Sequence, residues 1–143
     1  PLLISRALGG DALPIYGDGH QIRDWLYVGD HCSAIRLILR RGRVGETYNI
    51  GGVNEKTNLE VVHLICTTLD ELYPSTAGSY RRLITHVPDR LGHDRRYSVD
   101  ISKINAELGW SPRESFESGL RRTILWYLEN GEWIHNVMGK RNS

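Results

Sequence analysis

The sequence predicts an α/β chain, and three observations carry that prediction. Strand-like and helix-like stretches alternate along its length. The helical stretches place apolar residues three and four apart, most clearly at Leu59, Val62, Ile65, Cys66, Leu69 and Leu72. The strand-like stretches are short and rich in β-branched and aromatic residues. They are too few for a complete doubly wound sheet.

The elements follow in order. Residues 1–9 read as a helix ended by Gly9-Gly10, and its lack of an entry cap makes it read as the tail of a longer helix. Leu13 to Tyr16 is a short apolar strand, held to an edge or a strand start by Pro14. Gly17-Asp18-Gly19-His20 is a turn, and Ile22 to Val28 follows as a strand, so a hairpin or sharp reversal is expected there. Asp30 is the expected N-cap of a helix over 30–41, with Ala34, Ile35, Ile38 and Leu39 on one face. Glu46 to Ile50 reads as a strand stopped by Gly51-Gly52. Thr57-Asn58-Leu59-Glu60 is a capping box opening a helix that Pro74 stops. After a polar loop, a strand is expected over 83–87, an irregular charged stretch over 88–96, and a short extended piece at 97–99. Asp100 caps a helix to Leu108, closed by Gly109. The last helix starts near Ser115 and runs to about Asn130-Gly131, with a continuation over 132–137 and a loose tail over 139–143.

Composition narrows the function classes. The chain has 143 residues, 40% hydrophobic and 24% charged, as in ordinary globular domains. A net charge of +1 argues against bulk electrostatic binding to nucleic acid or membrane. No run of apolar residues is long enough for a membrane span, and no secretory pattern opens the chain. Cys32 and Cys66 lack metal-binding spacing and read as a reduced pair, so a cytoplasmic location is expected.

Catalytic patterns are missing. There is no G-x-G-x-x-G, no P-loop, no G-x-S-x-G, and no tyrosine followed four residues later by lysine. The chemistry that is legible concerns anions. Residues 81–96 hold five arginines against Asp89 and Asp94, with His86 and His93 among them. Arginine's planar fork suits phosphate, whereas local arginine–aspartate pairing is the alternative. Arg23 shares a strand face with Trp25 and Tyr27, and Asp24 falls on the apolar face, where it needs a partner. Asn58 sits in the first turn of a helix, a place where free N–H groups bind anions.

Several stretches together resemble one family. They are Pro14-Ile15-Tyr16-Gly17-Asp18-Gly19, Gln21 to Val28, Gly45 to Gly52, Asn54-Glu55-Lys56-Thr57-Asn58, Asp89 to Tyr97, and Leu108-Gly109-Trp110-Ser111-Pro112. In that order they are similar to the C-terminal part of the dTDP-glucose 4,6-dehydratases, extended short-chain dehydrogenases/reductases acting on nucleotide sugars. The resemblance implies a C-terminal substrate-binding lobe over 1–143 with the Rossmann core largely missing. Residues 22–41 would belong to the Rossmann sheet of the full enzyme. It implies NAD bound by an absent N-terminal part, and dTDP-glucose as substrate. The reaction implied is oxidation at C4, water loss across C5 and C6, and re-reduction at C6. A homodimeric full enzyme is also implied.

The substrate-binding residues implied are Pro14, Ile15 and Tyr16 against the thymidine, Arg23 and Arg90 on the diphosphate, Asn58 near it, and Asp89 and His93 flanking the second arginine. No catalytic residue maps onto the chain. Leu91 stands where the family has proline, and Gly29 where it has an acidic residue. The uncovered strand 22–28 and helix 30–41 are expected to leave an apolar patch exposed. A stand-alone non-catalytic module binding a nucleotide or a protein is the alternative.

Overall fold

The computed structural model describes residues 1–139, and the remainder of the expected loose tail lies outside them. The described residues form six α-helices and two small sheets. Helix α1 (Leu2–Gly9) ends at Gly10, which takes a left-handed conformation, as the double glycine suggested. Strand β1 (Leu13–Tyr16) buries Leu13 and Ile15 and leaves Pro14 and Tyr16 on the other side. It pairs in parallel with β4 (Ile84–Val87), Leu13 opposite Ile84 and Tyr16 opposite Val87. Parallel partners require a long crossover. The intervening chain supplies it and contains two of the three strands of the second sheet.

That sheet corrects the expected hairpin. Strand β2 (Ile22–Asp24) does not fold back on β1; it pairs with β3 (Glu55–Thr57) in antiparallel fashion and with β5 (Arg96–Tyr97) in parallel. The expected strand over 22–28 therefore ends at Asp24. The reason is visible at the Asp24 carboxylate, which accepts hydrogen bonds from the backbone N–H of Gly52 (2.8 Å) and Asn54 (2.9 Å). This is the partner an aspartate on an apolar face requires, and it pulls the 51–54 turn against the strand. A side chain at Gly52 would stand 1.8 Å from the Trp25 carbonyl oxygen, so only glycine permits that approach.

Helix α2 (Val28–Arg41) begins earlier than expected, with Tyr27 at its N-cap. Asp30 is not the cap. It is buried, and its Oδ2 accepts from the backbone N–H groups of Arg113 and Glu114, both at 3.0 Å. The stretch 46–50 forms no ladder either. Tyr48 and Ile50 are held by side-chain packing against a second apolar cluster.

Helix α3 (Asn58–Leu72) is the centre of the fold. Both halves of its capping box form: the Glu60 N–H donates to Thr57 Oγ1 at 3.1 Å, and the Thr57 N–H donates to Glu60 Oε2 at 2.7 Å. Val61, Val62, Ile65, Cys66 and Leu69 face inward, against α1, β1, the 3-10 turn Tyr80–Leu83 and α5 (Phe116–Glu129). Helix α5 starts on Ser115, whose side chain accepts from the Ser118 N–H. Helices α4 (Ser102–Leu108) and α6 (Gly131–Gly139) complete the order. Ile104 and Leu108 of α4, with Trp110 beyond it, form the second cluster with Ala34 of α2. No helix of the described residues is long and apolar enough to cross a membrane.

Candidate functional site

The arginine-rich stretch resolves into paired and unpaired members. Arg95 donates to both oxygens of Asp18, at 3.2 and 3.0 Å. Arg96 makes a two-pronged contact with Glu55, at 3.1 and 2.7 Å. Arg81 donates to the Thr67 hydroxyl and Arg82 to the Ala77 carbonyl. Arg90 has no carboxylate partner among the described residues. Its guanidinium lies 4.0 Å from the centre of the Tyr16 ring, a cation–π arrangement that leaves its N–H groups available.

Arg23 is likewise without a carboxylate. Its Nη1 donates to the Ile22 carbonyl at 2.7 Å. In the sheet it stands between Lys56 and Tyr97, which are its register partners on β3 and β5. Two cations and an exposed aromatic thus share one row of a sheet face.

The loop bearing Arg90 is anchored at Asp89. Asp89 Oδ1 accepts from the Arg90 N–H (2.8 Å) and contacts His93 Nδ1 (2.6 Å); its Oδ2 accepts from Gln21 Nε2 (2.8 Å). These bonds, that from His93 foremost, hold the Asp89 carboxyl below the usual carboxylate range. The edge of His93 meets Tyr16, with ring centres 6.4 Å apart. Tyr16, Asp89, Arg90 and His93 are therefore one constellation. Gln21, which adjoins β2 and bonds Asp89, ties this group to the strand that carries Arg23.

Two expected roles change with the geometry. Ile15 is 2% exposed and belongs to the core, so its side chain is not available to a ligand, whereas Pro14 and Tyr16 are half-buried. The first-turn N–H groups of α3 are not free: Asn58 donates to Gln21 O, Leu59 to Gly19 O, and Glu60 to Thr57. Only the Asn58 side chain remains to meet an anion. Gln21 and Gly17 escaped the sequence reading. Gly17 has φ +58°, and a Cβ there would sit 2.9 Å from Asp89 Oδ2. Its place in a glycine turn was legible; its closeness to a residue 72 positions on was not.

Parallel β1–β4 pairing and helices beside a small mixed sheet define an α/β chain, with Arg23 and Arg90 unneutralised by any acid among the described residues. The chain belongs to the GDP-mannose 4,6 dehydratase family, whose sequence model matches residues 1–123. More narrowly, it is 60% identical over 137 residues to a dTDP-glucose 4,6-dehydratase of Salmonella typhimurium, covering 96% of this chain and 38% of that protein. Among solved structures it is similar to the dTDP-glucose 4,6-dehydratase of Bacillus anthracis in complex with NAD. The TM-score is 0.80 and the identity 50%, over 93% of this chain and 40% of that one. The Streptomyces venezuelae enzyme, solved with NAD and TYD bound, matches at TM-score 0.80 and 45% identity, over 93% of this chain and 39% of that one. The chain thus spans about two-fifths of the length of these relatives.

These matches correct two expectations. The chain aligns over nearly all its length with dehydratases solved with NAD bound. Its description as a C-terminal substrate-binding lobe with the Rossmann core missing does not stand against that, nor does the assignment of NAD to an absent N-terminal part. What stands is the α/β class. The glycine turns of the described residues are the places where a pyrophosphate cradle could form. Gly51 and Gly52 close on Asp24, Val99 and Trp25, Gly17 and Gly19 close on Asp89, Ile15 and Leu59, and the α3 N–H groups are occupied. These glycine turns do not fit a dinucleotide pyrophosphate, and NAD is assigned to no residue.

Proposed function

We propose that this chain grips the nucleotide diphosphate of a nucleotide sugar, dTDP-glucose, within a 4,6-dehydratase that forms dTDP-4-keto-6-deoxyglucose. Arg23 and Arg90 hold the diphosphate, Asn58 adds a polar contact, and Pro14 and Tyr16 lie against the nucleoside. His93 stands beside the second arginine. The observation that carries the reading is the selective pairing of the arginines. Arg95 and Arg96 are neutralised within the chain, whereas Arg23 and Arg90 are not, and Arg90 is stacked in place. Stacking keeps the guanidinium plane fixed before a ligand arrives, so less side-chain entropy is lost on binding.

The exposed apolar residues of α2 support a second element of the proposal. Val28, Ile35 and Leu39 are uncovered, as the expected patch required. Residues 22–41 are proposed to pack on the sheet of the larger enzyme.

Titration calorimetry of the 143-residue chain with dTDP tests the diphosphate site. Arg90→Ala should lose about 1.5–3 kcal/mol of binding, the worth of a hydrogen bond to a charged group. Arg113→Ala is the control, since its side chain is exposed and outside the constellation. Equal behaviour of the two variants would show that the site is misplaced.

A further inference from the structure

We propose that Gln21 is a positioning residue: it holds Asp89, and through Asp89 it sets the ring of His93 and the backbone that carries Arg90. This rests on the diphosphate reading for its consequence, though not for its geometry. Gln21 is 2% exposed, and its Nε2 donates to Asp89 Oδ2 at 2.8 Å. An ionised carboxylate only accepts hydrogen bonds, so the amide nitrogen must face it. The other end of the amide is then committed as well. Oε1 is buried and meets no donor among the described residues.

A buried acceptor without a partner lowers stability. An apolar side chain of the same length would avoid that loss. Packing alone therefore does not account for a glutamine here, whereas an anchor for Asp89 does. The anchor has two outputs. Asp89 Oδ1 takes the Arg90 N–H, which fixes the start of the loop, and it takes His93 Nδ1 at 2.6 Å. The His93 proton facing Asp89 is thus on Nδ1, which leaves Nε2 on the far side of the ring. Gly17 completes the arrangement by leaving room for the carboxylate. Asp89 itself already accepts from three donors and carries a charge that a diphosphate would repel. Its place in the site is to hold its neighbours rather than to touch the ligand.

The test is Gln21→Met, which keeps the length of the side chain and removes both polar ends. The thermal midpoint should be unchanged or higher, while dTDP affinity falls about tenfold. The His93 ring nitrogen resonances should move away from the Nδ1–H form, a signature that loss of packing alone would not produce. Adding Arg90→Ala to Gln21→Met should cost less affinity than Arg90→Ala does in the unaltered chain. A folded Gln21→Met with unchanged affinity and unchanged His93 resonances overturns the proposal. Should that variant not fold, Gln21→Glu sets one carboxylate against another and should bind dTDP more weakly; unaltered binding overturns the proposal. If Arg90→Ala alone leaves dTDP affinity intact, the diphosphate reading fails. The Gln21 anchor is then decided by the His93 resonances, which support it if they move and refute it if they do not.

Discussion

Helices α2 and α3 are nearly the same length, 14 and 15 residues, and both are amphipathic, yet they are held in different ways. Helix α3 buries six side chains and is enclosed by α1, β1, the 3-10 turn and α5. Helix α2 buries only Asp30 and Ala34. Leu37 and Ile38 are half-covered by the α4 cluster, and Leu39 is 81% exposed. The region around α2 and α4 leans instead on polar ties. Arg43 bonds Glu107, Lys103 bonds Glu46, Trp110 Nε1 donates to Ser33, and Asp30 takes two backbone N–H groups. A stripe of apolar residues does not by itself show what covers it. The α3 stripe is covered within this chain, and the α2 stripe is mostly not.

The strongest way to break this contrast is Leu69→Ala. Leu69 is fully buried on α3, and its loss should cost about 2–5 kcal/mol, read as a large fall in the thermal midpoint. A small fall would mean that α3 is not the centre of stability.

Acid should separate the two regions by a smaller margin. Glu46 is held below the usual carboxylate range chiefly by its hydrogen bond from Lys103, and Asp100 chiefly by that from Ser102. A carboxyl whose folded value is lowered contributes stability that is present above its unfolded value, near ~4. That stability is lost as pH falls through the lowered value. Hydrogen exchange on either side of this window should show amides of α2 and α4 losing protection while those of α3 keep theirs. Acid also weakens Glu60 in the capping box, but the apolar contacts of α3 do not titrate. The reverse order of loss would refute the contrast.

The smallest effect is expected from Leu39→Ser. Removing an exposed side chain should change stability by no more than about 0.5 kcal/mol while lowering the binding of an apolar fluorescent dye. A fall in stability comparable to that of Leu69→Ala would show that α2 is covered after all.

Local features were legible in the residues. The capping box at Thr57 and Glu60, the start of α5 near Ser115, the glycine stop of α1 and the β4 strand are all where the pattern places them. Each is decided by contacts within a few residues. The misreadings have the opposite character. Asp30 has the look of an N-cap, but its partners are 83 and 84 residues away. Tyr48 and Ile50 have strand composition, but no neighbouring strand offers them a ladder. Glu55 to Thr57, a charged and unremarkable stretch, becomes a strand because Ile22 to Asp24 lies beside it.

The candidate site divides along the same line. The motifs around Tyr16, Arg23, Asn58 and Arg90 are in the sequence, and with them the membership of a dehydratase family. Which arginines are free to meet a phosphate is not. Five positive charges against two negative ones describe residues 81–96 whatever their partners. Arg95 and Arg96 are neutralised by acids 77 and 41 residues distant, Gln21 reaches 68 residues to Asp89, and Arg90 is left to stack on Tyr16. The sequence by itself determined where the helices run, the capping box of α3 and the residue types available for an anion, because those depend on hydrogen bonds and periodicity within a turn or two. Only the tertiary structure decided which of those residues are spent on the chain and which remain for a ligand, because ion pairs and buried amides are closed by parts of the chain that sequence distance keeps far apart.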